Sequence, residues 1–269
     1  MKNIMKCCTL CPRECKVDRT NNEIGLCGVS YKIKVARIAP HYYEEPPISG
    51  KNGSGAIFFS GCNLKCIYCQ NYDISKFNFG KEITITKLAE KMIELQNMNV
   101  HNINLVTPTH YIPQIRKAII KAKKMGLNIP IVYNTSSYEK VESLKLLDGL
   151  IDVYLPDLKY FEDILAIKYS KAPNYFNIVI DAIDEMYKQT GPVEFDKNGM
   201  IKKGVIVRHL MLPGLEDDTK KILEYLYKTY GDDIFISIMS QYTPLDTLQK
   251  EFPELSEFAD LPESVRRAA

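Results

Sequence analysis

From Gly55 onward, short apolar runs alternate with segments of helical period, and this limits the folds open to the chain more than any other feature. Residues 56–60, 103–106, 129–133, 151–155, 205–210 and 234–239 read as strands. Between them, residues 86–98, 113–125, 138–147, 174–190 and 218–230 carry apolar side chains at helical spacing. A parallel neighbour needs a long crossover, and such crossovers are right-handed, so the alternation implies a parallel sheet. Six units predict an α/β fold, a partial (β/α)6 TIM-like barrel. Loops at the C-terminal strand ends then build the site.

The first of those loops follows the strand directly: AIFFSGCNLKCIYCQ places Cys62, Cys66 and Cys69 in a CxxxCxxC just after Gly61. One loop with that spacing can wrap three thiolates around a [4Fe-4S] cluster, leaving one of its four irons without a ligand from the motif. The competing reading is structural zinc, whose usual signature is two CxxC or Cys/His pairs making four ligands. No fourth ligand lies close by in the sequence.

All eight cysteines fall between Cys7 and Cys69. In residues 7–28, CCTLCPRECKVDRTNNEIGLCG, the thiols Cys8, Cys11, Cys15 and Cys27 form a closed set of four, suited to a structural zinc or to an auxiliary iron-sulfur cluster. Cysteines clustered this way point to metal binding and a reducing, cytoplasmic setting. Residues 32–38 alternate as a strand, and residues 40–50, with Pro46, Pro47 and Gly50, read as a connecting loop in which His41, Glu44 and Glu45 are solvated, a role toward substrate being the alternative. The chain therefore divides into a small cysteine-rich metal-binding segment, residues 1–50, and the barrel, residues 51–269.

Lys and Arg number 35 against 33 Asp and Glu, a net charge of +2 that gives no overall case for a nucleic-acid or membrane partner. No apolar stretch approaches a membrane span, the N-terminus lacks a signal-peptide core, and there is no GxGxxG or Walker motif. At 45% hydrophobic and 25% charged residues, there is ample material for a core.

Together CPREC, GLCG, FFSGCNLKCIYCQN, NINLVTPTHY, IVYNTS, YLPDLKY, VRHLMLPG and MSQYTP resemble radical S-adenosylmethionine (SAM) proteins of the pyruvate formate-lyase activating enzyme-like, uncharacterised type. The resemblance implies that SAM chelates the free iron and is cleaved reductively to a 5'-deoxyadenosyl radical, which abstracts hydrogen. It makes Cys62, Cys66 and Cys69 the catalytic loop and places Tyr68 near the adenine. Thr107 and Thr109 stand where many relatives carry Gly-Gly-Glu, a motif absent here, and either offers an acceptor to the SAM ammonium; His110 beside them is a loop residue or part of the site. Asn134, where relatives have an Asp-Thr or Asp-Asn turn, is placed to reach the ribose or a bound cation, or else caps the next helix. Asp157 and Lys159 match an LDLK-type segment that shapes the ribose or cation site and meets the SAM carboxylate; a surface ion pair is the alternative. Arg208 interrupts an apolar strand and can hold a carboxylate, whereas His209 points to the opposite face. The implied partners are a glycyl radical enzyme as protein substrate and a flavodoxin or ferredoxin-type electron donor. Another protein or a small molecule is the alternative substrate. A metal-stabilised binding module is the alternative of a different class. Gln241, Tyr242, Thr243 and Pro244 follow the last strand and are expected to line the cavity.

Overall fold

A computed structural model describes residues 2–240 and residue 242. The strands are β1 (Ile33–His41), β2 (Ser54–Phe59), β3 (Lys81–Ile83), β4 (Ile103–Val106), β5 (Ile131–Thr135), β6 (Val153–Pro156), β7 (Glu194–Phe195), β8 (Ile201–Leu210) and β9 (Phe235–Met239). They form one sheet in the order β3-β1-β2-β4-β5-β6-β8-β7, with β9 also on β8. Strands β2, β4, β5, β6, β8 and β9 pair successively in parallel, which is the expected unclosed six-stranded barrel. The antiparallel strands β1, β3 and β7 extend it.

Local chemistry sets the crossover helices. Thr84 caps the helix Ile85–Asn97, its hydroxyl accepting from Lys87 N at 3.1 Å. Pro113 sits in the first turn of the helix Ile112–Lys124, where its missing N–H costs nothing. The helices Tyr175–Thr190 and Glu216–Tyr230 end at Gly191 and Gly231. Three elements escape the periodicity: β3 and β7 are too short to display one, and the helix Asp163–Ser170 spreads its apolar residues around its circumference.

Alternation along the strands divides the core in two. Ile103, Leu105, Ile131, Tyr133, Tyr154, Val205 and Val207 face the helices. Val132, Val153, Leu155, Ile201 and Ile206 face the barrel interior, where they pack on Ile48. Ile48 belongs to a helical turn, Pro46–Ser49, inside the segment expected to be a plain loop, and β1 runs on to His41. Pro40 is tolerated there because it lies beyond the stretch paired to β3. The expected division at residue 50 falls between β1 and β2, which are paired from Val35–Phe59 to His41–Ser54. Among the described residues no helix is long and apolar enough to cross a membrane. The expectations for Gln241, Thr243 and Pro244 lie outside the described residues.

Candidate active site

The three-cysteine loop leaves the C-terminal end of β2 through Gly61, whose φ of +86° suits glycine. A β-carbon there would come within 2.5 Å of the Cys27 carbonyl oxygen. That close approach lets Cys62 N donate to Cys27 O at 3.1 Å. Farther along, Lys65 N and Ile67 N donate to Ser170 O and Tyr169 O at 3.1 and 2.9 Å, tying the loop to the end of the helix Asp163–Ser170.

Each sulfur of the loop has a hydrogen-bond partner: Leu64 N donates to Cys62 Sγ at 3.4 Å, Ser170 Oγ to Cys66 Sγ at 3.0 Å, and Ser75 Oγ lies 3.4 Å from Cys69 Sγ. Tyr68, Tyr160 and Ser170 form a run of hydroxyls, 2.6 and 2.8 Å apart, that ends on Cys66. Burial, then the neighbouring Cys66 and Cys69, push the Cys62 thiol up to about 12. Among the described residues no three His, Cys, Asp or Glu side chains are grouped to hold one metal ion. A cluster gives each thiolate its own iron and asks for sulfurs spread around a larger body, with donors aimed at them. Each sulfur of the loop has a hydrogen-bond partner of this kind.

Facing the loop is a charged wall built from the inward ends of β5, β6 and β8. Lys159 Nζ binds Asp157 Oδ2 at 2.7 Å, both side chains at most 16% exposed, so this is a buried pair. Burial alone would lower the Lys159 ammonium, but Asp157 and then Cys66 outweigh it and raise it. Asp157 is held below its usual range because Arg208 and Lys159 together overcome the opposing effect of burial. Arg208 Nη2 lies 2.8 Å from both Asp157 Oδ1 and Asn134 Oδ1.

The remaining partners of Arg208 were not anticipated. Glu44 accepts from Arg208 Nη1 at 3.0 Å and from Asn134 Nδ2 at 3.3 Å, while Glu45 lies 3.8 Å from Arg208 Nε. Both glutamates are buried, at 8% and 7% side-chain exposure, and not solvated as expected. Ile48 anchors their segment within the barrel, and the carboxylates reach from it to the guanidinium. The place between Asn134 and Asp157, expected to take a ribose or cation, is thus occupied by Arg208. The sequence signal was there: a charge in an apolar strand needs a partner.

Thr107 and Thr109 part company. Thr107 closes β4 in a left-handed conformation, φ +57°, unusual for a β-branched residue, and its N–H donates to Asn134 O at 2.8 Å. Thr109 faces away and donates to Glu139 Oε1 at 2.6 Å, as do Thr135 Oγ1 at 2.7 Å and Tyr133 OH at 3.1 Å. Burial lifts Glu139 to about 7 against those three hydrogen bonds. His110 is buried and neutral, its Nε2–H donating to Ser60 O at 2.8 Å; burial and then Arg19 lower it to about 3. His209, also buried, donates from Nδ1 to Leu158 O at 2.7 Å, with Thr219 Oγ1 2.8 Å from Nε2.

The N-terminal thiols lie beside this site. Cys8, Cys11 and Cys27 are buried, Cys15 is half-buried and Cys7 is exposed, which separates Cys8 from its neighbour as the inward member. A β-carbon on Gly25 would be flanked by Cys15 Sγ at 3.3 Å and Cys27 Sγ at 3.4 Å. Arg13 Nε donates to Asn63 O at 2.8 Å and Ser143 Oγ to Leu10 O at 2.8 Å, docking the segment on the barrel mouth.

Comparison with known proteins agrees with this geometry. The profile of the radical SAM superfamily matches residues 56–226. "Uncharacterized protein MJ0674" of Methanocaldococcus jannaschii is 33% identical over 95% of this chain and 71% of its own length. The pyruvate formate-lyase-activating enzyme of Staphylococcus epidermidis is 23% identical over 62% of this chain and 65% of its own. Among solved structures, Streptococcus suis SuiB bound to precursor peptide SuiA superposes with a TM-score of 0.51 at 12% identity, covering 74% of this chain and 43% of SuiB. The chain thus spans less than half the length of that neighbour.

Proposed function

Because the chain belongs to the radical SAM superfamily, we propose that it is an enzyme that cleaves SAM reductively to start hydrogen abstraction, with Cys62, Cys66 and Cys69 holding a [4Fe-4S] cluster. When bound, that cluster supplies the single electron that splits SAM into methionine and a 5'-deoxyadenosyl radical. The observation that carries the assignment of residues is the three-thiol loop at the C-terminal edge of β2, each sulfur with its own hydrogen-bond partner and Lys159 facing Cys66.

The chain's own residues bind and orient. Lys159 meets the SAM carboxylate, kept charged by Asp157 at 2.7 Å. Arg208 pins Asp157 and Asn134 in place and so holds Asp157 against Lys159. Thr107 offers the ammonium an acceptor in place of the missing Gly-Gly-Glu, while Thr109 supports it from behind through Glu139. Tyr68 directs its hydroxyl along the run to Cys66 and so fixes the loop, and its ring would pack near the adenine of bound SAM. Cys8, Cys11, Cys15 and Cys27 hold a second metal group.

The hydrogen comes from a protein residue, in the leading reading a glycine of a partner enzyme. The name of the Staphylococcus epidermidis relative and the precursor peptide in the SuiB complex support a protein substrate, as does a barrel left unclosed. A flavodoxin or ferredoxin-type protein supplies the electron in a reducing cytoplasm. Anaerobically reconstituted, reduced protein converts SAM to methionine and 5'-deoxyadenosine; no cleavage by protein with an intact cluster refutes the reading. A glycyl radical signal in a co-incubated partner enzyme tests the substrate. Zinc, iron and sulfide analysis of Cys8→Ser against Cys7→Ser tests the second group, since only the former is expected to lose it.

A further inference from the structure

Arg19 is the largest side chain that the described part of the chain buries completely, at 1% exposure. Its N–H groups go to backbone carbonyls: Nε and Nη2 donate to Ser30 O at 3.2 and 2.6 Å, and Nη1 to His110 O at 2.6 Å. The Tyr111 ring lies against it, 5.7 Å from Cζ to the centroid. All of these groups are neutral, and a buried charge without an opposite charge is costly. Arg208, in the barrel interior, has Glu44, Glu45 and Asp157 as counter-ions, whereas among the described residues no carboxylate forms an ion pair with Arg19.

The acids around it are engaged elsewhere. Residues 1–32 hold Glu14, Asp18 and Glu23. Glu14 pairs with Lys140, Asp18 Oδ1 accepts from Thr20 N at 2.9 Å and Asn21 N at 3.3 Å, and Glu23 Oε2 accepts from Asp18 N at 2.7 Å. Glu82, whose charge reaches Tyr111, pairs with Lys32 at 3.0 Å, and Glu139 takes its hydrogen bonds from Thr109, Thr135 and Tyr133. Among the other cations of the segment, Lys6, Lys16 and Lys32 are exposed and Arg13 is half-buried, so water screens them. Arg19 lies too deep for that.

What remains beside Arg19 is sulfur. Ser30, its main acceptor, follows the tight turn that carries Cys27, in which Gly28 N donates to Gly25 O at 2.8 Å and Gly25 N to Val29 O at 3.1 Å. Of the charges around Cys27, that of Arg19 acts on it most strongly. Cys15 Sγ and Cys27 Sγ flank Gly25, and Cys8 and Cys11 are buried in the same segment. Four neutral thiols leave the guanidinium unbalanced. Four thiolates around Zn2+ or around an oxidised [4Fe-4S] cluster keep a net negative charge, which is what a buried cation requires. We propose that Arg19 is the counter-cation of an anionic four-thiolate metal centre at Cys8, Cys11, Cys15 and Cys27; this rests on the second metal group proposed above and gives it a positioning residue outside the thiols. Through His110 O, the same guanidinium ties the centre to the segment after β4.

The test uses the full chain with Cys62, Cys66 and Cys69 changed to serine, so that metal at that loop adds nothing to the signal. One arm titrates Co2+ as a probe for zinc, read by its thiolate charge-transfer band in competition with a chelator. The other reconstitutes with iron and sulfide and follows the cluster's absorption as a chelator removes it. In whichever arm the Arg19 protein binds, Arg19→Met is expected to weaken retention by about tenfold to a hundredfold. Arg19→Lys keeps the charge and loses the fork to Ser30 and His110, and is expected to recover most of that retention. Urea unfolding gives an independent readout: Arg19→Met destabilises the metal-loaded protein but leaves the metal-free protein as stable or more so, because there it removes an unpaired buried cation. If Arg19→Met does not fold, Arg19→Gln against Arg19→Lys, polar side chains that differ in charge, decides by the same measurements. Equal metal retention across the variants, or an equal loss of stability with and without metal, overturns the proposal and leaves Arg19 as a hydrogen-bond donor alone. Should the Arg19 protein bind neither Co2+ nor iron and sulfide, the second metal group itself is refuted, and its counter-cation with it, an outcome told apart from the first by the absence of any binding to compare.

Discussion

Glu139 makes the stability of the barrel mouth depend on pH in a direction that can be worked out. Its folded-state pKa is about 7 against an ordinary 4.5, because burial outweighs the hydrogen bonds from Thr109, Thr135 and Tyr133. Between those values the folded chain holds a proton that the unfolded chain has released. This contribution is therefore fully present below pH 4.5, is lost as pH rises to 7, and is flat above. At ~1.4 kcal/mol per unit, the shift costs about 3 kcal/mol once the group is ionised, of which roughly 2 to 3 kcal/mol develops between pH 5 and pH 8. Glu139→Gln keeps an acceptor for the three hydroxyls and removes the titration. Anaerobic urea unfolding of both proteins across that range isolates the group, because every other carboxylate is common to the pair. The stability of the glutamate protein relative to the glutamine variant is expected to fall as pH rises. A difference that stays level from pH 5 to 8, or rises, refutes the assignment of Glu139 as a buried acid near neutrality. The consequence reaches the site, since Glu139 ties Thr109, after β4, to Tyr133 and Thr135 on β5, and the same two elements carry Thr107 and Asn134.

Three further outcomes follow from the contacts. Cys66→Ala removes one of three thiols from the loop, and its reconstituted protein is expected to lose the cluster's visible absorption and EPR signal; an unaltered cluster would exclude Cys66 as a ligand. Arg208→Met strands Asp157, Glu44 and Glu45 without their shared cation and is expected to destabilise by about 3 to 5 kcal/mol in urea unfolding, with Glu44→Gln added to it restoring part of the loss. Equal stability of the single and double variants would count against coupling. Gly61→Ala places a β-carbon 2.5 Å from Cys27 O and is expected to loosen the N-terminal segment from the cysteine loop, read as faster proteolysis before residue 61 and reduced iron content; unchanged protection speaks against that contact.

The parallel strands and the long helices between them were legible in the sequence because periodicity is local: β4 runs over Ile103–Val106 as the pattern predicts, and the boundaries of the others differ by a few residues. The cysteine loop was legible for the same reason, its three thiols falling within a stretch of eight residues. Glu44 was not. It lies 164 residues from Arg208, in a stretch whose prolines and glutamates read as a solvated connection. Only the seating of Ile48 among the inward side chains of β5, β6 and β8 brings that segment into the barrel, where its carboxylates meet the guanidinium. Thr107 and Thr109 stood two positions apart with equal claims, and the backbone divided them, turning one toward Asn134 and the other toward Glu139. By itself, then, the sequence determined the order of strands and helices and the grouping of three thiols just after β2, since both are written in spacing along the chain. Which charges face one another across the barrel was decided by the tertiary structure, since burial obliges each ion to find a partner however distant in sequence.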